Sequence, residues 1–179
     1  MFSLLVSCLL VASGIATVSS RPSIQDTCPT GLLKSVNPFY LQVFNGTCFF
    51  FAVNDRKTYR EAIIECRGYG GLLALPKSET LNKYLIDQTQ NHYGVVDELW
   101  IGLHDKKDES KFIWEDNEKL TWENFADDNG PDNNWFIKHF EDCVALNPID
   151  GFWYDHPCDN ELLSIALDSD PKKMYICQY

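Results

Sequence analysis

The stretch Glu141–Cys158, "EDCVALNPIDGFWYDHPC", sets Cys143 and Cys158 at the two ends of a turn-rich, aromatic segment, with Glu141, Asp142 and Asp155 close beside them. Carboxylates clustered in this way suit a hard cation, since calcium takes about 6–8 oxygen ligands from carboxylates, carbonyls and water. The same pattern is also that of a solvated turn. Just upstream, Glu123–Asp142, "ENFADDNGPDNNWFIKHFED", holds six acids, four asparagines and a Gly-Pro pair in twenty residues. Structureless runs of that length inside a domain are usually functional or disordered, and bracketing by Trp122 and Cys143 predicts a held loop.

Other chemistries fit less well. His92, His104, His139 and His156 do not follow a zinc-ligand spacing. Neither a Gly-rich phosphate loop nor a nucleophile elbow is present. The neighbouring acids Glu141 and Asp142 are not read as the carboxylate pair of a glycosidase. No enzymatic activity is expected.

Which compartment the chain folds in decides what the cysteines do. Residues 1–20 contain no Lys, Arg, Asp or Glu, carry an apolar run over Leu4–Ala12 and end in small residues, the pattern of a secretory signal peptide. That apolar run is shorter than the roughly 20 residues needed to cross a bilayer, so no membrane anchor is expected. Cleavage would leave residues 21–179 as one domain, with Cys28, Cys48, Cys66, Cys143, Cys158 and Cys177. An even number in a secreted, extracellular chain predicts three disulfides, and six cysteines allow fifteen pairings among which spacing does not choose. The net charge of -11 opposes nucleic acid and anionic lipid as partners and favours cations or basic surfaces.

The elements that must position these residues are readable from pattern. In "TYREAIIECRGYG", Thr58 and Glu61 form a capping box and Tyr59, Ala62, Ile63 and Cys66 share one helical face before Gly68 and Gly70. A second helix starts near Ser78, turns Leu81, Tyr84 and Leu85 inward and ends before Gly94. Short aromatic or β-branched runs then read as strands: "CFFFAV" from Cys48, "LWIGL" from Leu99, "KFIW" from Lys111, "CVAL" from Cys143, "FWY" from Phe152 and "MYICQY" from Met174. Two helices and a β-rich remainder predict an α+β fold. "NGT" at Asn45–Thr47 is both an N-glycosylation sequon and a hairpin-turn signal.

Taken in order, Cys66 on the first helix, "WIGL" at Trp100–Leu103, the acidic loop with Pro131, "EDCV" at Glu141–Val144, "WYDHPC" at Trp153–Cys158 and "YIC" ending at Cys177 resemble the C-type lectin-like domain family. The resemblance covers nearly all of residues 21–179 and implies its fold: two helices, antiparallel sheets and a long calcium- and ligand-binding loop. It also implies disulfides pairing Cys66 with Cys177, Cys143 with Cys158 and, as in the family's longer form, Cys28 with Cys48.

Calcium-dependent members of that family bind sugar through one calcium held by two side chains flanking a proline, a Glu before the "DC" pair, and the Asn and Asp of a "WND" motif. Those positions fall here on Gly130 and Asp132 around Pro131, Glu141, Tyr154 and Asp155, so three ligands remain. The resemblance thus implies calcium as cofactor at Asp132, Glu141 and Asp155, with affinity toward the weak extracellular range of about 10⁻⁴ to 10⁻³ M. Asn129, Asp127 or Asp128 could stand in for Gly130 if the loop is shifted. Trp135 after Asp132 leans the site to the family's galactose type, and the bland alternative is that Trp135, Phe136 and Phe140 anchor the loop. Tyr154 either stacks on a sugar or fills core and plugs the site. The expected function is a secreted protein that binds carbohydrate or glycoprotein at a degenerate calcium site through Asp132, Trp135, Glu141, Tyr154 and Asp155. The alternative is an interaction module on the same fold, without sugar binding, that meets a protein, a mineral or another surface.

Overall fold

Thr58 and Glu61 do close a capping box: Glu61 Oε2 accepts from the Thr58 amide at 3.0 Å, and Thr58 Oγ1 from the Glu61 amide at 3.4 Å. The box starts helix α3, Tyr59–Gly68, which buries Tyr59, Ala62 and Cys66 and leaves Ile63 at the margin. The computed structural model describes residues 22–108, 110–127, 129–130, 142–158 and 172–179. The leader read over 1–20 therefore lies outside the described residues, as do Asp132, Trp135, Phe136, Phe140 and Glu141.

Two short helices that the periodicity did not announce, α1 (Ile24–Thr27) and α2 (Thr30–Ser35), precede strand β1 (Leu41–Phe44). Each is too short to show a 3.6-residue repeat, and both sit beside Cys28, which with Leu32, Leu41 and Cys48 forms a small separate core. β1 pairs with β2 (Thr47–Lys57) through the expected hairpin, where Asn45 and Gly46 take φ of 50° and 80°, the positive pair that a two-residue turn of right-handed twist requires. Helix α4 (Glu79–Asp87) is capped by Ser78 and continues as a π-helical turn over Gln88–His92. Leu85 is buried, while Leu81 and Tyr84 are half-buried.

The strands β3 (Leu72–Leu73), β4 (Leu99–His104), β5 (Ile113–Trp114), β6 (Cys143–Leu146), β7 (Trp153–His156) and β8 (Lys173–Gln178) complete a sheet of order β1-β2-β8-β4-β6-β7, with β3 on β8 and β5 on β4. Only β4 and β8 run parallel among the described pairs. β4 is buried at every position, which fits a central strand covered on both faces. Gly102 in it is required by a close approach: a Cβ there would lie 2.6 Å from Leu75 Cδ2 and 2.9 Å from the Leu73 carbonyl. Its amide donates to Ala74 O at 2.8 Å, so the crossing segment takes the place of a side chain. Among the described residues no helix is long and apolar enough to cross a membrane.

Three disulfides join Cys28 to Cys48, Cys66 to Cys177 and Cys143 to Cys158, as the resemblance implied. The second ties α3 to β8, the third β6 to the end of β7. On chain entropy the 111-residue separation of Cys66 and Cys177 should contribute about 5 kcal/mol, and the separations of 20 and 15 about 3 each. Replacing Cys66 and Cys177 together by alanine is therefore expected to lower stability by more than replacing Cys28 and Cys48. Urea unfolding of the two double variants checks the order, and equal losses would mean that native packing around the bridges, not loop closure, sets their worth.

Candidate functional site

The site is organised around Trp153, fully buried at the start of β7. Trp114, Trp122 and Phe125 meet its ring edge to face, with centroids 5.7, 5.3 and 5.6 Å away. Such geometry adds to area burial because ring edges and faces carry opposite partial charge. The indole N–H donates to Asn82 Oδ1 of α4 at 2.9 Å, and Asn82 Nδ2 in turn reaches Gly151 O at 3.3 Å. Asn82, buried on an otherwise apolar helix face, thus matches the one polar atom of the tryptophan.

The first half of the acidic loop is held along the same strand. The Trp153 amide donates to Asn124 O at 2.9 Å, the Ala126 amide to Trp153 O at 3.0 Å, and Asn124 Nδ2 to Gly151 O at 2.7 Å. Phe125 packs between Trp153 and Phe112. The held loop expected from its bracketing residues is observed over residues 122–127 and 129–130, and the rest up to Glu141 lies outside the described residues.

At Gly130, where the resemblance implies a ligand, packing leaves no room for a side chain. Gly130 is buried at φ 85°, and a Cβ built there would lie 2.5 Å from Phe125 Cγ. A longer side chain would have to displace a ring that supports Trp153, so packing of the loop excludes a ligand at this position. Its neighbour Asn129 donates Nδ2 to Asp127 O at 3.2 Å, which leaves Oδ1 as an acceptor.

On β7 the strand alternation sorts the two described candidates. Asp155 shares the inner face with Trp153 and is only 6% exposed, opposite Val144 of β6. Tyr154 points the other way, opposite Ala145, and is half-buried. Its hydroxyl donates to Asp150 Oδ2 at 2.7 Å, and this bond to a carboxylate pushes the phenol up to about 12. Tyr154 is therefore neutral, oriented by Asp150, and does not fill core. A carboxylate buried as deeply as Asp155 needs donors or a cation around it, and its oxygen chemistry suits calcium. Among the described residues no group of three or more acidic, histidine or cysteine side chains could hold a metal by itself, so a complete ligand set would draw on Asp132 and Glu141.

Sequence reading missed a charged cluster beside the strand. Glu98, just before β4, meets His156 Nε2 at 2.9 Å and Lys173 Nζ at 2.8 Å, and the lysine side chain is only 7% exposed. Burial raises the Glu98 carboxyl, but hydrogen bonds and charge from His156 and Lys173 outweigh it and hold the group down to about 2. Three residues so far apart in the chain leave no local pattern. A buried lysine heading an apolar strand, "KMYIC", is the one signal that a carboxylate partner must exist.

A family model described as Lectin C-type domain matches residues 55–165. Collectin-10 of Gallus gallus is 35% identical over 111 residues, which is 62% of this chain and 38% of that protein. C-type mannose receptor 2 of Rattus norvegicus is 33% identical over 129 residues, 70% of this chain and 8% of that protein. The chain thus spans well under half the length of either relative. The mouse scavenger receptor C-type lectin carbohydrate-recognition domain superposes with a TM-score of 0.63 at 22% identity, covering 81% of this chain and 98% of that one, a likeness of fold.

Glu98→Gln is expected to cost roughly 2–3 kcal/mol at neutral pH, because it leaves the nearly buried Lys173 without its counter-charge. The Glu98 carboxyl lies at about 2 when folded and about 4.3 when unfolded, so its contribution is complete above about 4.3 and is lost as pH falls through 2. Denaturant unfolding of both proteins at pH 7 and near pH 2 checks this: the gap seen at pH 7 should close in acid, and a pH-independent gap would assign the loss to packing.

Proposed function

Because the chain belongs to the C-type lectin domain family, we propose that it is a secreted, non-enzymatic protein that binds carbohydrate or glycoprotein at a calcium site formed by Asp132, Glu141 and Asp155. The observation that supports this reading most is the buried Asp155 carboxylate, presented by a strand that the Cys143–Cys158 disulfide and the Trp153 cluster both fix. Calcium bound there would supply a hard centre whose shell of about 6–8 oxygens can include sugar hydroxyls. With Gly130 excluded as a ligand and a phenol at Tyr154, waters and the Asp155 carbonyl complete the shell, and affinity falls in the weak extracellular range. Trp135 and Asp132 favour galactose. Tyr154, held by Asp150 and half-exposed, is the second aromatic surface for the sugar.

The same two observations also favour the other reading, a lectin-like module that meets a non-sugar surface. A position closed to side chains at 130 and a tyrosine tied to Asp150 both take oxygens away from calcium.

Calorimetric titration with calcium, alone and with galactose or mannose, separates the two. We expect calcium binding at about 10⁻⁴ to 10⁻³ M and a higher melting temperature, since a ligand of the folded state stabilises by mass action. Tyr154→Asn should tighten calcium, by adding an amide oxygen, yet weaken galactose, by removing an aromatic face. An unchanged melting curve at roughly ten millimolar calcium, far above that range, would favour the non-sugar module. At the hairpin tip, Asn45 is exposed with a positive φ. Asn45→Gly keeps the turn and is expected to abolish a glycan that the wild-type protein carries after secretion, which intact mass before and after amidase treatment will read.

A further inference from the structure

A groove of about 600 Å³ lies on the side of α3, and its residue His104 pairs across the sheet with Cys143 of β6. Arg60, Ile64 and Arg67 form one wall at helical spacings that place them on a single face. Ile64 is 61% exposed between the two arginines. Lys106 and Lys107, on the turn after β4, form the other wall, and Lys106 Nζ sits 4.1 Å over the ring of Tyr59.

The floor is made by Glu115 and His104. Glu115 is the single carboxylate among the described residues lining the groove, and its side chain is 6% exposed. Its charge is already engaged: Arg67 Nη2 donates at 2.9 Å, the Tyr59 hydroxyl at 3.4 Å, and His104 Nε2 lies 3.6 Å away. With Arg67 taken up by that carboxylate, cations still outnumber acids among the described residues lining the groove, in a chain of net charge -11. His104 lies within the same field: burial, and then the charges of Lys106 and Lys107, hold its imidazole down to about 4. Its Nδ1 is buried without a hydrogen-bond partner among the described residues. A buried polar atom left so is costly unless something enters to satisfy it.

We propose that this groove docks an acidic, amphipathic segment of a protein partner, whose carboxylates meet Arg60, Arg67, Lys106 and Lys107 while an apolar side chain covers Ile64. Charge alone would equally suit a sulfated polysaccharide. Ile64 decides between them, because a polysaccharide that is polar throughout gains nothing from an exposed isoleucine between two arginines, whereas a peptide buries it. Arginines on a rigid helix suit carboxylates in particular, as their fork pairs both oxygens at once. The interface is small, so the contact is transient and steered by charge. It does not depend on calcium or sugar binding.

Fluorescence anisotropy on the full secreted chain tests it, with a fluorescein-labelled peptide of glutamates carrying leucine at every fourth position as the probe. A peptide of glutamate alone and a heparin fragment serve as controls. The leucine-bearing peptide should bind, and should weaken about tenfold as salt rises from roughly 0.05 to 0.5 M. Arg60→Glu with Lys107→Glu should weaken it at least about tenfold. Ile64→Ser should weaken it about fivefold while leaving the all-glutamate peptide unchanged. Binding should also raise the His104 titration midpoint, read by NMR, because carboxylates now face the ring. Melting temperatures near that of the wild type will show that the exposed substitutions leave the fold intact. Heparin binding as tightly as the peptide, with Ile64→Ser silent, would overturn the proposal in favour of a general polyanion site. Unchanged peptide binding in the charge-reversed variant would overturn it outright. Neither result bears on calcium or galactose titration.

Discussion

Everything at the candidate site depends on how the indole of Trp153 is buried. A tryptophan can be enclosed at low cost only if its N–H finds an acceptor, and Asn82 supplies one from α4 at 2.9 Å. That single bond places the helix, the strand and the acidic loop around one ring. Phe125, Trp122 and Trp114 then close on its edges and faces, and Asn82 and Asn124 both reach the Gly151 carbonyl behind it. Polar and apolar packing agree at this point, which is the condition for a unique arrangement rather than a merely collapsed one.

From that arrangement the neighbouring chemistry follows by strand geometry. Successive residues of β7 point to opposite faces, so burying Trp153 also buries Asp155 and turns Tyr154 and His156 to the other face, where His156 packs on Trp100. Asp155 is thereby committed to an environment that must offer it positive charge or donors, whereas Tyr154 is committed to the rim, where Asp150 fixes it. The same ring cluster sets what the loop can carry. Phe125 is needed against Trp153, its ring fills the space beside Gly130, and the loop therefore cannot hold a side-chain ligand at position 130 itself. The absence of a side chain at Gly130, where the resemblance implies a ligand, accords with core packing, whereas at Tyr154 it implies the exchange of an amide for a phenol.

Much of the framework was legible in the sequence because its signals are local. The Thr58–Glu61 box, the Asn45–Gly46 turn and the aromatic strand runs each act over a few residues, and each is found where its pattern lies. The cysteine pairing was not legible from spacing and came from the resemblance, since loop lengths alone favour no single pairing among fifteen. The short helices α1 and α2 escaped because a run of four or six residues shows no repeat. Asp150, Asn82 and Glu98 escaped for another reason: their roles exist only once distant strands are side by side, and a polar residue's sequence neighbours do not reveal its partner.

The charge of the chain illustrates how far composition can mislead about surface. A net charge of -11 argues against anionic partners taken as a whole, yet fields at a surface are set by what lies within about a Debye length, roughly 8 Å at physiological salt. Within that range of His104 the chain places Lys106 and Lys107, strongly enough to depress the imidazole together with burial, while the nearby Glu115 is neutralised by Arg67. Acidic residues elsewhere are screened from this face but still repel an acidic partner that approaches in any other orientation. Net negative charge and a local basic groove therefore act together: the first rejects misdirected encounters, and the second rewards the one that brings carboxylates to α3.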